Sequence, residues 1–168
     1  GRLVDSSLRA GRFSDAMAHV QRLLAAGSED SPLLLKLALC HTALDHNREA
    51  IEALQKAITL DPAQVDAYVA LAEVYAHRTN QPQEAEATLD RLIAANPKLA
   101  KAYLARGRFF LRAKKMEQAQ QDLQQAAELA PEDLDVLLAR YDLATATGKL
   151  DEATRQLQRA AERFPQNE

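Results

Sequence analysis

The chain has 168 residues, of which 47% are hydrophobic and 27% are charged, with five glycines and no tryptophan. This composition is typical of a globular protein rich in helices, and it argues against a disordered chain and against a β-rich fold. The net charge of -3 gives no overall electrostatic reason to bind nucleic acid or an anionic membrane, and the single Cys40 cannot form a disulfide within the chain.

The first predicted elements lie in residues 1–30. Residues 1–11 supply only the latter part of one helix, with Leu3 and Val4 at its packing positions. Gly27-Ser28 stands where the later segments have a proline. We therefore interpret residues 1–30 as a partial unit and the whole chain as a fragment of a longer protein; the alternative is a complete small protein with frayed ends.

Residues 31–64 are predicted to form a helical hairpin. Apolar residues recur with the i, i+3, i+4, i+7 spacing of an amphipathic helix in residues 34–41 and again in residues 50–58. The polar stretch 45–48 separates the two helices. Asp30 or Ser31 ahead of Pro32 predicts a helix start, and Asp61-Pro62 predicts a helix end because proline disfavours helical conformation in the residue before it.

The same pattern returns in residues 65–99, 100–133 and 134–168, so that four kinds of residue recur every 34 or 35 positions. The recurring sets are Ala16, Ala50, Ala85, Ala119 and Ala153; Val20, Leu54, Leu89, Leu123 and Leu157; Leu23, Ala57, Leu92, Ala126 and Ala160; and Pro62, Pro97, Pro131 and Pro165. A fixed period of this length indicates stacked structural repeats. We predict a single array over residues 1–168.

The unit resembles the tetratricopeptide repeat, which has a large residue at its fourth position, a small one at its eighth, an aromatic at its eleventh and a proline near its end. The matching residues are Leu34, Tyr68, Tyr103 and Leu137; Ala38, Ala72 and Gly107; and Tyr75 and Phe110. The resemblance implies an all-α fold, a right-handed α-solenoid of stacked antiparallel helix pairs.

The later units depart from the family pattern. Arg106 and Arg140 stand where leucine is usual, and Ala144 stands where an aromatic residue is usual. We expect Tyr141, one helical turn earlier, to fill the space that the missing aromatic leaves. The unit 65–99 is one residue longer than the units before and after it, and we expect the loop around residues 80–82 to contain the addition.

The resemblance also implies a concave groove lined by the first helix of each unit. The groove residues that we expect to contact a partner are Leu35, Leu39, Val69, Glu73, Lys101, Leu104, Arg108, Leu111, Leu138 and Asp142. The fifth position is apolar in all four full units, which suits an amphipathic helix or an extended peptide with hydrophobic anchors. The alternative is that these side chains pack against neighbouring first helices.

Charged groove residues alternate in sign between successive units. One position holds Asp66, Lys101 and Asp135, and another holds Glu73, Arg108 and Asp142. We expect these side chains to pair across units. The alternative is that Lys101, Arg108 and Arg112 capture a carboxylate of a ligand.

Candidate residues for catalysis or metal binding are few. His41 and Asp45 lie four residues apart with His46 nearby, but His41 takes the position of an aromatic packing residue and is interpreted as one. The sequence has no glycine-rich phosphate loop and no nucleophile elbow. We therefore expect no catalytic activity, no cofactor and no metal, and we interpret the basic residues between 106 and 115 as a solvated helix end and not as a nucleic-acid site.

Two classes of partner are also excluded at this point. The clamp of lysine, arginine and asparagine residues by which family members hold chaperone C-terminal tails is matched only by Lys101, so we do not expect such tails to bind. No apolar run approaches the roughly 18 residues that a membrane-spanning helix needs. We expect a soluble chain that does not insert into membranes, in the cytoplasm in preference to a periplasmic or extracytoplasmic compartment.

The repeat pattern predicts a scaffold for protein–protein interaction, whose pre-formed groove receives a peptide or a helix of a partner protein. The alternative is a structural spacer, or an array that forms a homo-oligomer through its uncapped ends. A third interpretation is that the array positions a catalytic domain that lies outside these residues.

Overall fold

The computed structural model describes residues 2–27 and 30–163, and all regular structure in these two ranges is helical. The helices are α1 (Arg2–Arg9), α2 (Phe13–Ala25), α3 (Ser31–Ala43), α4 (Asn47–Leu60), α5 (Val65–Glu73), α6 (Pro82–Ala95), α7 (Ala100–Arg112), α8 (Met116–Leu129), α9 (Leu134–Ala146) and α10 (Leu150–Arg163). A π-helical turn, Val74–Arg78, continues α5. None of these helices is long and apolar enough to cross a membrane. The predicted all-α fold of paired helices is confirmed.

Successive helices pair into hairpins, α1 with α2 and so on to α9 with α10, and each hairpin turn has three residues. The middle residue of every turn has a φ between 53° and 72°. These residues are Gly11, Asp45, Asn80, Lys114 and Gly148. The left-handed conformation reverses the chain within three residues, and glycine, asparagine and aspartate adopt it at the lowest cost.

The additional residue of the unit 65–99 lies inside a helix, so the expectation that the loop around residues 80–82 contains it is wrong. The first helices α3, α7 and α9 each have 13 residues, whereas α5 and its π-helical turn have nine and five. In the π-helical turn, the Thr79 N–H donates to the Val74 carbonyl at 3.1 Å, five residues back. This wider turn holds one more residue between the same helix ends.

The start of α3 and the end of α4 lie where the capping residue and the proline in the sequence predict them. The Asp30 carboxylate accepts a hydrogen bond from the Leu33 N–H at 2.7 Å, so Asp30 and not Ser31 caps α3. Asp133 caps α9 in the same way, through the Val136 N–H at 3.2 Å. The second helix α4 ends at Leu60, ahead of Asp61-Pro62, as predicted. Ser28 and Pro165 lie outside the described residues.

The described residues form two compact units, which divide between Ala95 and Asn96. In the first unit, α3, α4 and α5 pack around a buried cluster that includes Leu34, Leu54 and Leu71. A second cluster in this unit includes Val4, Val20 and Leu33, so α1 and α2 pack onto α3. The organisation of residues 1–168 as one array stays a prediction.

In the second unit, α7 and α8 approach closely at Gly107. A Cβ atom added to Gly107 would lie 2.9 Å from Cδ2 of Leu123 and 3.2 Å from Cβ of Asp122. Ordinary van der Waals contact between carbon atoms needs about 3.5 to 4.0 Å. The small residue at the eighth position of the unit is therefore required by the packing of the two helices.

Two ion pairs explain the arginines that stand where leucine is usual. The Arg106 guanidinium donates through Nε and Nη2 to the two oxygens of Asp122, each at 2.8 Å, and Asp122 is buried. In the last hairpin, Nη2 of Arg140 donates to Oε1 of Glu152 at 3.3 Å. In both hairpins, a charged link between the two helices replaces an apolar contact.

Candidate functional site

The first unit presents four of the expected groove residues on its first helices. Leu39 of α3 is 45% exposed, and Glu73 of α5 is half-buried. Leu35 and Val69 are half-buried, and Leu35 packs against the core cluster of this unit. Among these four residues, Leu39 therefore has the most exposed apolar side chain, and the side chains of Leu35 and Val69 are only partly exposed.

The second unit presents the other six expected residues on α7 and α9. Leu104 is only 7% exposed, which makes it part of the core of this unit, whereas Leu138 at the same position of the next hairpin is 36% exposed. Leu111 is half-buried, and the charged Lys101 and Asp142 are exposed. Among these six residues, the most accessible apolar side chain is therefore Leu138.

Charged groove residues make local ion pairs. Nη2 of Arg108 donates to Oδ1 of Asp135 at 3.0 Å and to the Asp135 carbonyl at 3.1 Å, which links α7 to α9. Oε2 of Glu73 lies 3.1 Å from Nε2 of His77 on the same helical segment. Exposed pairs of this kind contribute roughly 0.2 to 1 kcal/mol. The partner of Arg108 is thus an acidic residue of the adjacent hairpin, although not the one at its own position, Asp142.

Three residues with metal-binding or redox chemistry, Cys40, His41 and His46, lie near the turn after α3. Nδ1 of His41 is 3.4 Å from Nδ1 of His46, and burial lowers the pKa of His41. The Cys40 thiol is buried, and this burial raises its pKa. Within residues 2–27 and 30–163, no group of three or more histidine, cysteine or acidic side chains is arranged to hold a metal ion.

Two features of the second unit were not among the sequence-predicted site residues. A cavity of about 330 Å³ lies beside Ala144, among α8, α9 and α10. Leu157 of α10 is 50% exposed, although Leu54, Leu89 and Leu123 at the same position are fully buried. The sequence signal for the cavity is Ala144, which stands where an aromatic residue is usual. Tyr141 does not line the cavity, so the expectation that Tyr141 fills this space is wrong.

Solved structures share this fold over nearly the whole chain. A thermophilic TPR protein of Thermus thermophilus is 24% identical with a TM-score of 0.73, and the match covers 99% of this chain and 90% of that one. MamA of Desulfovibrio magneticus RS-1 is 19% identical with a TM-score of 0.66, covering 99% and 94%. PilW, a type IV pilus biogenesis factor, is 18% identical with a TM-score of 0.71, covering 99% and 77%.

Sequence comparison identifies the repeats directly. Two sequence models of the tetratricopeptide repeat match residues 45–107 and residues 100–133, which together are more than half of the chain. The comparison with curated protein sequences gave no significant match. The matched residues contain the complete hairpins of α5 with α6 and of α7 with α8. The chain belongs to the tetratricopeptide repeat family.

Proposed function

We propose that this chain is a protein-interaction scaffold, whose first helices hold exposed apolar side chains in fixed positions for a segment of a partner protein. The observation that carries the proposal is the exposure of Leu39 and Leu138, which are 45% and 36% accessible in the interior of α3 and α9. A partner that covers them removes apolar surface from water without having to order the helices that present it.

The family supports the same proposal. Tetratricopeptide repeats are typically non-enzymatic scaffolds that bind protein partners, and we infer the same of this chain. The partner segment that fits each surface is an amphipathic helix or an extended peptide with small hydrophobic anchors. In the second unit, Asp142 is exposed on the same helix as Leu138, so a basic residue beside the anchor would find an acidic neighbour.

Replacing the two exposed leucines by glutamine is expected to weaken partner binding at each surface by about fivefold. Each leucine is partly exposed before binding, so covering it contributes about 1 kcal/mol, and the Leu39→Gln/Leu138→Gln variant loses this contribution at both surfaces. Proteins retained from a lysate of the source organism by the parent chain would be identified, and their dissociation constants for both chains measured by calorimetry.

Two other leucines provide the matched control. Leu60 and Leu129 are 48% and 39% exposed, nearly as much as Leu39 and Leu138, but they end the second helices α4 and α8. The Leu60→Gln/Leu129→Gln variant is expected to bind as the parent does. Equal losses in the two variants, or no loss in the first, would show that the first helices are not the receptor surface.

A second candidate function is self-association through α10. Leu157 is half exposed, whereas Leu54, Leu89 and Leu123 at the equivalent position are fully buried. A second copy of the chain that packs against α10 would bury it in the same way, and the chain would then act as an oligomeric spacer.

Light scattering over a range of concentrations tests this second candidate. If α10 is the contact, the mean mass of the chain rises with concentration, and the Leu157→Gln variant keeps the monomer mass under the same conditions. Leu60→Gln, of nearly equal exposure, is the control and is expected to behave as the parent. A monomer mass for the parent at about 1 mM would rule out self-association of useful strength.

A further inference from the structure

The cavity beside Ala144 combines a buried apolar part with a polar edge. Its apolar lining includes the buried side chains of Leu123, Leu143 and Ala144, and its polar lining includes Gln124, Arg140 and Lys149. The volume of about 330 Å³ is in the range of sites that hold small ligands, which begins at roughly 300 Å³. The cavity lies on the α8 and α10 side of α9, and the expected groove residues do not line it.

The preceding hairpin shows what occupies the equivalent space. Phe110 of α7 stands at the position of Ala144, and two cations face its ring. The Arg106 guanidinium carbon lies 5.8 Å from the ring centroid, and Nζ of Lys115 lies 5.9 Å from it. Cations at this distance from a ring are attracted to its π face.

Both cations have counterparts around the cavity. Arg140 and Lys149 follow Arg106 and Lys115 by one repeat period of 34 residues, and both line the cavity. The last hairpin therefore keeps the cationic neighbours of an aromatic ring, while alanine replaces the ring itself.

The hairpin of α5 and α6 supplies a third comparison. Tyr75 stands at the same position as Ala144, and Nε2 of Gln55 on the preceding helix α4 donates to the Tyr75 hydroxyl at 3.3 Å. The residue equivalent to Gln55 on α8 is Gln124, which also lines the cavity. An amide that can bond a phenol hydroxyl is thus present where the phenol is missing.

We propose that this cavity binds a phenol ring, such as that of a tyrosine side chain, in the place that Ala144 leaves open. The ring contacts Leu143 and Ala144, the cations Arg140 and Lys149 face its π system, and the Gln124 amide donates to the hydroxyl oxygen. This site is separate from the first-helix surfaces, so it does not depend on the proposed function.

Charge around the cavity favours a ligand that is neutral or acidic. Arg140, Lys149 and Arg155 line the cavity together with one acid, Glu152. Hydrogen bonds from Arg155 and Gln156 lower the pKa of Glu152, which therefore stays ionised at neutral pH. Glu152 is paired with Arg155 at 2.6 Å and with Arg140 at 3.3 Å. The remaining positive charge is available to a carboxylate beside the ring.

An NMR titration of the ¹⁵N-labelled chain with p-cresol, which reproduces the tyrosine side chain, tests the site. We expect saturable shifts of the Ala144 and Thr147 amides and of the Gln124 side-chain amide, with a dissociation constant on the order of 1 mM for a ligand of this size. The aliphatic analogue 4-methylcyclohexanol is expected to bind at least threefold more weakly, because it has no π face. The absence of saturable shifts, or shifts away from the cavity, would overturn the proposal.

Two further ligands distinguish the source of the ring. Tighter binding of 4-hydroxyphenylacetate than of p-cresol supports a free aromatic acid as the natural ligand. Tighter binding of N-acetyl-tyrosinamide supports a tyrosine of a polypeptide. Weaker binding of both than of p-cresol would show that the cavity cannot admit a substituted phenol, and it would overturn the proposal as well.

The Ala144→Phe variant tests the same site without a ligand. Its ring is expected to occupy the cavity, to weaken p-cresol binding at least tenfold and to raise the melting temperature by about 2 to 6 °C. Ala146→Phe adds the same ring at an exposed position of α9 and is expected to leave p-cresol binding unchanged. Lys149→Met, at an exposed position, is expected to weaken p-cresol binding severalfold with the fold intact. Unchanged p-cresol binding in Ala144→Phe, or a lower melting temperature, would contradict a ring-shaped site.

Discussion

Replacing Asp122 by alanine is expected to lower the free energy of unfolding by about 3 kcal/mol, because it leaves the Arg106 guanidinium without its buried carboxylate. Both hydrogen bonds of the pair measure 2.8 Å, and Asp122 is buried between α7 and α8. A loss of about 3 kcal/mol is at the lower end of the range for breaking a buried ion pair, because part of the Arg106 side chain is exposed to water. Urea denaturation followed by circular dichroism would measure the change.

The sister hairpin 31–64 suggests the variant that should recover this loss. The residues equivalent to Arg106 and Asp122 are Leu37 and Ala53, an apolar pair. The Arg106→Leu/Asp122→Ala variant is therefore expected to lie within about 1 kcal/mol of the parent, since an apolar pair can replace a buried ion pair at little cost. The single variants Arg106→Leu and Asp122→Ala are each expected to lower the free energy of unfolding. If the double variant lowers it by the sum of the two amounts, the two side chains are not coupled.

An exposed ion pair of similar length is the control. Nε of Arg48 lies 3.0 Å from Oε1 of Glu52, but both side chains are largely exposed on α4. Replacing Glu52 by alanine is expected to change the free energy of unfolding by less than about 0.5 kcal/mol. The difference between the two experiments measures what burial and the second hydrogen bond contribute to the pair of Arg106 and Asp122.

The hairpins and their ends follow from the sequence because they depend on local chemistry that recurs with the period. Proline after an aspartate ends α4, an aspartate before a proline caps α3, and a left-handed residue at Asp45 closes the turn between these helices. Each of these determinants lies within a few residues of the feature it sets. The buried alanines follow in the same way, because the helix period places them on the face toward the partner helix.

The roles of individual side chains depend on contacts with other helices, which the period does not specify. Leu104 and Leu138 hold the same position of the repeat, yet the first is buried and the second is exposed. Arg106 has the character of a surface residue in the sequence, but its ion pair with Asp122 makes it part of the packing. The sequence predicts that the loop around residues 80–82 contains the additional residue, because loops absorb insertions most readily, whereas the π-helical turn Val74–Arg78 holds it.

Replacing Gly107 by valine is expected to lower the free energy of unfolding by about 3 kcal/mol, the upper end of the range for overpacked sites. The first added carbon already lies 2.9 Å from a methyl group of the fully buried Leu123 and 3.2 Å from Cβ of Asp122, so two neighbours on α8 restrict it. Two further methyl groups at the same point must push α7 and α8 apart or force Leu123 out of its rotamer.

Graded substitutions separate this steric effect from helix propensity. Gly107→Ala gains up to about 1 kcal/mol of helix propensity against the same first contact, so its net change is expected to stay within about 1 kcal/mol. Lys101→Val places valine at an exposed position of the same helix, where only its lower propensity matters, and is expected to cost less than about 1 kcal/mol. Thermal and urea unfolding of the three variants would give the series. A Gly107→Val variant as stable as Lys101→Val would contradict the close approach of α7 and α8. Valine fits at Gly107 only if Leu123 on α8 lies farther from this position than the 2.9 Å between the added Cβ and its Cδ2 atom.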